Sequence, residues 1–145
     1  MDRLFAFEKA LNTWARWVEE QVDPMTTKVF FLGPSPTHFN ASHWGNNEKG
    51  DCKDEMQPLL EQPNPGDDAD LAKTTVERVW RSMSKPVGLL NVTGLSSLRN
   101  DAHPSLYSSG AHRGMDRSHW CVSGVPDTWN HLLYAELMVR SNTPT

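Results

Sequence analysis

The chain has 145 residues, a length that fits one domain and is too short for two of ordinary size. Its residues are 37% hydrophobic and 22% charged, and its net charge of −4 comes without a basic cluster, which excludes nucleic acid and anionic membrane surfaces as expected partners. No apolar run approaches the ~20 residues that cross a bilayer, and the charged, amphipathic start is unlike a signal peptide, so we expect no targeting segment in these residues.

Two regular elements are predicted in the first third of the chain. Residues 3–22 are expected to form an amphipathic helix, because apolar side chains recur there at spacings of three and four. These side chains are Leu4, Phe7, Leu11, Trp14, Val18 and Val22. Residues 28–32 are a short β-branched and aromatic run that is typical of a strand buried on both faces. From residue 35 to about 65 the pattern disappears, and a loop of this length is usually functional or disordered.

The rest of the chain repeats this order of elements. A second helix is predicted over residues 69–84, with acidic residues at its start that favour the helix dipole. Its apolar stripe consists of Ala72, Val76, Val79, Trp80 and Met83. A second buried strand is predicted over residues 87–92, followed by a loop from residue 95 to 115. A last helix begins at Pro126, a favourable first-turn residue, and continues to about residue 140.

This succession of elements indicates an α/β fold. Two strands separated by a helix predict a parallel pair joined by a helical crossover. Two strands are too few for a parallel sheet that is covered on both faces, since such sheets usually have four or more. We therefore expect an incomplete parallel sheet whose other strands lie in missing sequence.

The two long loops hold the residues that could do chemistry. In α/β proteins ligands collect at the carboxyl ends of the strands, and both loops leave from such ends. Six acid–base side chains lie there: His38, His43, Asp101, His103, Asp116 and His119. A spacing of three lets Asp116 hold the Nδ1–H of His119 across one turn and leaves Nε2 as a general base. The spacing alone favours the alternative that such a pair in a polar loop is merely structural.

Three other patterns have competing interpretations. His38, His43 and His119 could bind zinc, but their spacing matches no familiar ligand pattern, so we expect no metal. Asp101-Ala102-His103-Pro104 resembles a second acid–base pair, although its spacing of two and its proline favour a rigid turn. Gly50-Asp51-Cys52 has a cysteine where a nucleophile motif has serine, but no strand precedes it to present the thiol, so we interpret it as loop.

Four blocks of the sequence, taken in order, form a specific combination. They are Ala10-Leu11-Asn12-Thr13-Trp14-Ala15-Arg16-Trp17; Val29-Phe30-Phe31 through Ser35-Pro36-Thr37-His38-Phe39; Leu89-Leu90-Asn91-Val92-Thr93 with Leu98-Arg99-Asn100-Asp101-Ala102-His103-Pro104-Ser105; and Asp116-Arg117-Ser118-His119-Trp120-Cys121 followed by Gly124-Val125-Pro126-Asp127-Thr128-Trp129-Asn130. Together they resemble the C-terminal half of the trichome birefringence-like proteins, a plant PC-esterase family related to SGNH/GDSL hydrolases. The resemblance covers residues 1–145 and implies part of an SGNH-like three-layer α/β/α fold.

The resemblance also implies an activity. Members of the family are O-acetyltransferases of the plant Golgi, anchored in the membrane, that act on cell-wall polysaccharides such as xylan, xyloglucan or pectin. By this resemblance Asp116 and His119 are the acid and base of a Ser-His-Asp enzyme, in which the serine takes the acetyl group before a sugar hydroxyl accepts it. The implied acetyl donor is a co-substrate such as acetyl-CoA, and no bound cofactor is expected.

The chain departs from the family pattern at three places. The family's serine lies in an upstream Gly-Asp-Ser motif that does not occur here, and the membrane anchor is upstream too. Arg117 stands where the family has the cysteine that would bridge to Cys52, and Cys121 lacks its usual upstream partner, so a Cys52–Cys121 pairing stays open. We expect this chain, as a C-terminal fragment, to be inactive alone. The alternatives are a non-catalytic polysaccharide-binding fragment that uses Trp44 and Trp120, and a polysaccharide acetyl esterase.

Overall fold

The computed structural model describes residues 2–40, 55–61, 63, 67–107 and 116–141. His43, Trp44 and Cys52 of the sequence predictions lie outside these residues. Within them the regular elements, in chain order, are α1 (Arg3–Gln21), β1 (Val29–Leu32), α2 (Asp67–Arg81), β2 (Val87–Leu90), α3 (Thr93–Ser97) and α4 (Val125–Ser141).

Helix α1 is fixed at both ends by side chains. At its start, Oδ1 of Asp2 accepts hydrogen bonds from the backbone N–H groups of Leu4 and Phe5 at 2.7 and 3.2 Å, as an N-cap residue does. At its end, Nζ of Lys85 donates to the backbone carbonyls of Val18 and Val22 at 3.2 and 2.6 Å. A cation at this position complements the negative end of the helix dipole and ties α1 to the turn before β2.

Strands β1 and β2 form a parallel two-stranded sheet, in which Val29 pairs with Val87 and Leu32 with Leu90. One face, which carries Phe31 and Leu89, packs on the core that α1 and α2 form. The buried members of that core are Leu11, Ala15, Val76 and Val79. The other face meets α4, whose Trp129 lines a groove with residues of both strands. Helices on both faces of the sheet give three layers, so the expected α/β fold with a small parallel sheet is confirmed.

Three predictions about elements were wrong in detail. Strand β2 ends at Leu90, two residues before the predicted end at residue 92. Helix α2 spans residues 67–81 rather than 69–84, because the chain leaves the α-helix through short-range backbone bonds from Ser82 to Val79 and from Met83 to Trp80. The segment after β2 is helical over Thr93–Ser97, where a loop was expected. This helix buries small polar side chains instead of an apolar stripe, so hydrophobic periodicity gives no signal for it.

Within the described ranges, none of the helices combines the length and the apolar character that a bilayer crossing requires.

The α1/α2 core gives a stability prediction. Val76 of α2 is 2% exposed, so Val76→Ala leaves a cavity and is expected to lower the free energy of unfolding by about 1–3 kcal/mol. Val139→Ala on α4, where the side chain is 65% exposed, is the matched control and is expected to change it by less than about 0.5 kcal/mol. Urea unfolding followed by tryptophan fluorescence measures both values, and equal losses would contradict the packing described here.

Candidate active site

Three segments of the chain meet where the two strands end and α4 begins. Residues Ser105 and Asp116 form an antiparallel bridge, with N···O distances of 3.0 and 3.3 Å. The backbone N–H of Cys121 donates to the carbonyl of Ala102 at 3.0 Å. From the segment after β1, the N–H of His38 donates to the carbonyl of Arg117 at 3.1 Å. The segment 116–121 is therefore held by main-chain bonds to both long loops.

Asp116 and His119 form a hydrogen-bonded pair within this segment. Oδ2 of Asp116 lies 2.9 Å from Nδ1 of His119, the contact that their spacing predicts. The other carboxylate oxygen, Oδ1, accepts the backbone N–H groups of Ser118 and His119 at 3.1 and 3.0 Å. One carboxylate thus closes the turn and orients the ring that the turn carries.

The surroundings of the two side chains differ. The side chain of His119 is 80% exposed and that of Asp116 is 13% exposed. The backbone N–H of His119, followed by that of Ser118 and the His119 ring, holds the pKa of Asp116 well below its usual range. Asp116 is therefore ionised at neutral pH and selects the tautomer of His119 with the proton on Nδ1.

This arrangement is suited to general acid–base chemistry. With its proton held on Nδ1, His119 presents an unprotonated Nε2 that can accept a proton, and the carboxylate stabilises the imidazolium that results. Among the described residues, none forms a hydrogen bond with this Nε2, and the ring is exposed. The neighbouring hydroxyl of Ser118 lies 3.4 Å from Oδ1 of Asp116, on the carboxylate rather than on Nε2, and so is not placed as a nucleophile.

A buried layer of rings lies beneath the Asp116–His119 pair. His38 and His103 are 3% and 6% exposed, and their rings approach at 2.7 Å between Nδ1 of His38 and Nε2 of His103. Nδ1 of His103 lies 2.7 Å from the carbonyl oxygen of His119. Trp120 stacks on His103 with 4.2 Å between ring centroids, and its Nε1 donates to Oγ of Ser35. We call His38, His103 and Trp120 the buried ring layer.

The remaining sequence candidates have other positions. Asp101 forms a two-bond ion pair with Arg99, at 2.8 and 3.1 Å, and lies in a turn, so it is not the acid partner of His103. Within the part of the chain that the structure describes, no three His, Cys, Asp or Glu side chains are grouped closely enough to hold a metal ion. Cys121 is an exposed free thiol. The expected single crevice is therefore divided into the exposed Asp116–His119 pair and the buried ring layer below it.

Sequence reasoning did not identify the buried ring layer. The sequence offers His38 as a possible zinc ligand and His103 as part of a turn, and it does not indicate that the two are paired. Their contact joins residues 65 positions apart, and no local pattern encodes it. The one signal available was that both histidines are followed by apolar or proline residues in otherwise polar loops.

The burial of His38 makes the stability of the fold depend on pH. Burial lowers the pKa of His38 from 6.5 to about 4, against the opposing effect of the Ser97 carbonyl. Between these values the unfolded chain binds a proton that the folded chain does not, so the free energy of unfolding falls as the pH decreases from 6.5 to 4. At ~1.4 kcal/mol per pH unit, this loss is at most about 3.5 kcal/mol.

His38→Gln removes the titrating ring and is expected to reduce this pH dependence. Urea unfolding at a series of pH values between 4 and 7 measures the slope for the native chain and the variant. His131→Gln, at an exposed position on α4, is the matched control and should keep the native slope. An unchanged slope in His38→Gln would show that His38 is not the source of the pH dependence.

Comparison with known proteins assigns the chain to a family. It is 50% identical over 137 residues to Protein trichome birefringence-like 39 of Arabidopsis thaliana, 48% over 139 residues to Protein trichome birefringence-like 43, and 51% over 137 residues to Protein trichome birefringence-like 38 of the same plant. Each match covers 94% of this chain and 36%, 37% and 35% of the respective relative, so the chain spans about a third of their length. Residues 1–136 match the PC-Esterase family, described as the GDSL/SGNH-like acyl-esterase family found in Pmr5 and Cas1p. The resemblance seen in the four sequence blocks is thereby confirmed, and the chain belongs to the PC-esterase family.

Proposed function

We propose that this chain carries the acid–base part of an O-acetyltransferase of plant cell-wall polysaccharides. The observation that carries the proposal is the 2.9 Å contact between Asp116 and Nδ1 of an exposed His119, in a chain that belongs to an acyl-esterase family. The relatives named trichome birefringence-like support the plant cell-wall setting through the family resemblance. Xylan, xyloglucan and pectin are the proposed acceptor polysaccharides.

In the proposed reaction His119 is the base and then the acid of each half-reaction. Its Nε2 takes the proton of a serine hydroxyl as the serine oxygen attacks the acetyl carbonyl of a donor such as acetyl-CoA, and the departing thiolate receives that proton. In the second half, Nε2 takes the proton of a sugar hydroxyl that attacks the acetyl-serine, and returns it to the serine oxygen. Asp116 stays ionised throughout and stabilises the imidazolium in both halves.

The proposed mechanism needs a nucleophilic serine, which the family resemblance places in a Gly-Asp-Ser motif. No Gly-Asp-Ser occurs in the sequence, and Ser118 is turned to Asp116. We therefore place the serine in another segment of polypeptide, and we propose that the chain alone transfers no acetyl group. The Golgi lumen, with an anchor outside these residues, is the proposed location on the basis of the family resemblance.

Two alternative functions differ in how well the structure supports them. A polysaccharide acetyl esterase would use the same pair, with water in place of the sugar hydroxyl, and the acyl-esterase description of the family favours it as the second candidate. A non-catalytic polysaccharide-binding fragment would need exposed rings for stacking on sugars. Trp120 does not meet that need, because it is half-buried, stacks on His103 and meets Trp129 edge-on at 6.0 Å.

A chimera tests the role of His119. The upstream part of trichome birefringence-like 39, ending where the match to this chain begins, is joined to residues 1–145. We expect the chimera to acetylate xylan oligosaccharides from acetyl-CoA, and the 145-residue chain alone to show no turnover. His119→Ala should lower kcat by at least about 10³-fold, because the general base is lost. Mass spectrometry of the oligosaccharides measures transfer, and release of acetate from acetylated xylan measures hydrolysis.

His131→Ala is the matched control, since His131 is an exposed histidine on α4, and it should retain native activity. An active chimera in which His119→Ala turns over as fast as the native sequence would refute the assignment of the base. Acetate release without transfer would identify the esterase instead.

The role of Asp116 is tested separately by Asp116→Asn in the same chimera. The Asn oxygen can still accept the N–H groups of Ser118 and His119, so the turn is kept, but an N–H group replaces Oδ2 opposite Nδ1. His119 is then forced to carry its proton on Nε2, and kcat should fall by about 10³–10⁴-fold, as it does in serine-protease triads. Asp70→Asn, at an exposed position on α2, is the control. Full activity of Asp116→Asn would show that the carboxylate does not set the tautomer.

A further inference from the structure

The buried ring layer contacts the backbone of His119 through a chain of hydrogen bonds. The donor and the acceptor of each bond can be assigned. Nδ1 of His103 lies 2.7 Å from the carbonyl oxygen of His119, and Nε2 of His38 lies 3.1 Å from the carbonyl oxygen of Ser97. Between them, Nδ1 of His38 lies 2.7 Å from Nε2 of His103. A carbonyl oxygen can only accept a hydrogen bond, so each terminal contact requires a proton on the histidine nitrogen.

Two neutral rings carry two protons, which can serve only two of these three contacts. In one arrangement, His38 donates from Nδ1 to His103, and His103 donates from Nδ1 to the His119 carbonyl. In a second, His38 donates from Nε2 to Ser97 and His103 donates from Nε2 to His38. In a third, His38 donates from Nε2 to Ser97 and His103 donates from Nδ1 to the His119 carbonyl. The first arrangement leaves lone pairs of His38 Nε2 and the Ser97 oxygen facing at 3.1 Å. The second leaves His103 Nδ1 and the His119 oxygen facing at 2.7 Å, and the third leaves the two ring nitrogens facing at 2.7 Å. Repulsion between lone pairs rises steeply at short distance, so the first arrangement is favoured.

We propose that His38 and His103 form a directional relay in which both rings carry their proton on Nδ1, and that His103 is thereby a positioning residue for His119. The hydrogen bond from His103 fixes the carbonyl of the residue whose side chain is the base. The N–H of Cys121, two residues on, is fixed by Ala102, the neighbour of His103. The backbone of residues 119–121 is thus tied twice to the segment that carries His103, while the His119 ring is left exposed.

The charged groups around the relay are compatible with neutral rings. Burial is the main effect, and it lowers the pKa of both His38 and His103. The carboxylates of Asp101 and Asp116 oppose this effect at His103, and Asp101 opposes it at His38, whereas Arg117 favours the neutral form of His103. Arg99, paired with Asp101, reduces the influence of that carboxylate. Protonation of His38 supplies the third proton, for the Ser97 contact, only in acid.

The importance of this positioning for acetyl transfer rests on the proposed function, but the relay itself can be measured without any substrate. Long-range ¹H–¹⁵N spectra of the ¹⁵N-labelled 145-residue chain at pH 7 report which nitrogen of each ring is protonated. We expect Nδ1–H for His38, His103 and His119. Nε2–H in either His38 or His103 would overturn the relay, whatever the outcome of the activity measurements.

Two variants separate positioning from simple packing. His103→Asn places an amide N–H close to the position of Nδ1–H, whereas His103→Leu fills similar space without a donor. In His103→Leu we expect His38 to change to the Nε2–H tautomer and donate to Ser97, and the amide of Cys121 to exchange with solvent about tenfold faster. In His103→Asn the Cys121 exchange rate and the Nδ1–H tautomer of His119 should stay near native.

His131→Leu is the control for replacing a histidine by leucine, and it should alter neither readout. Equal effects of His103→Asn and His103→Leu on the Cys121 amide and on the His119 tautomer would show that His103 only fills space. Failure of either variant to fold leaves the tautomers of the native chain as the deciding measurement.

Discussion

The geometry of this site depends on the carboxylate of Asp116, whose two oxygens bind different groups. Oδ1 of Asp116 accepts two backbone N–H groups and so builds the turn, while Oδ2 contacts the ring at the end of that turn. Because the same group contacts the backbone and the ring of His119, the position of the ring is coupled to that of the turn. The same hydrogen bonds hold the carboxylate in this position and lower its pKa. They therefore determine both the orientation and the charge of Asp116.

The elements that could be predicted are those whose stabilising contacts repeat along the chain. Helix α1 and strands β1 and β2 can be predicted from the local sequence, because the helix has a regular apolar spacing and the strands are short apolar runs. The contact of Asp116 with His119 is equally local, across three positions. Helix α3 and the buried ring layer could not be predicted, because they bury polar groups whose partners lie far along the chain. Ser97 meets His38 across 59 positions, and spacing rules contain no information about such a pair.

The histidines of the site show how environment assigns different roles to one residue type. His119 is exposed, next to an ionised carboxylate, and its chemistry is directed outward. His103 and His38 are buried against carbonyl groups and an indole, where burial favours the neutral ring and each nitrogen faces a defined partner. The residue type alone does not distinguish the three. The solvent exposure of the rings and the acceptors around them distinguish His119, the proposed base, from His103 and His38, which we propose to position it.

The described contacts that fix the acid–base pair come from residues 38, 102, 103 and 105, all of which lie beyond the ends of β1 and β2. None of these contacts involves the nucleophile of the proposed mechanism. The geometry of Asp116 and His119 is therefore set independently of the serine, so the absence of Gly-Asp-Ser affects what the pair can activate and not how it is arranged. Catalytic groups that act as a unit lose nearly all their effect when one is removed, even if the others keep their positions. The geometry of the proposed base is accordingly compatible with the proposed inactivity of the chain alone, and the two have to be measured separately.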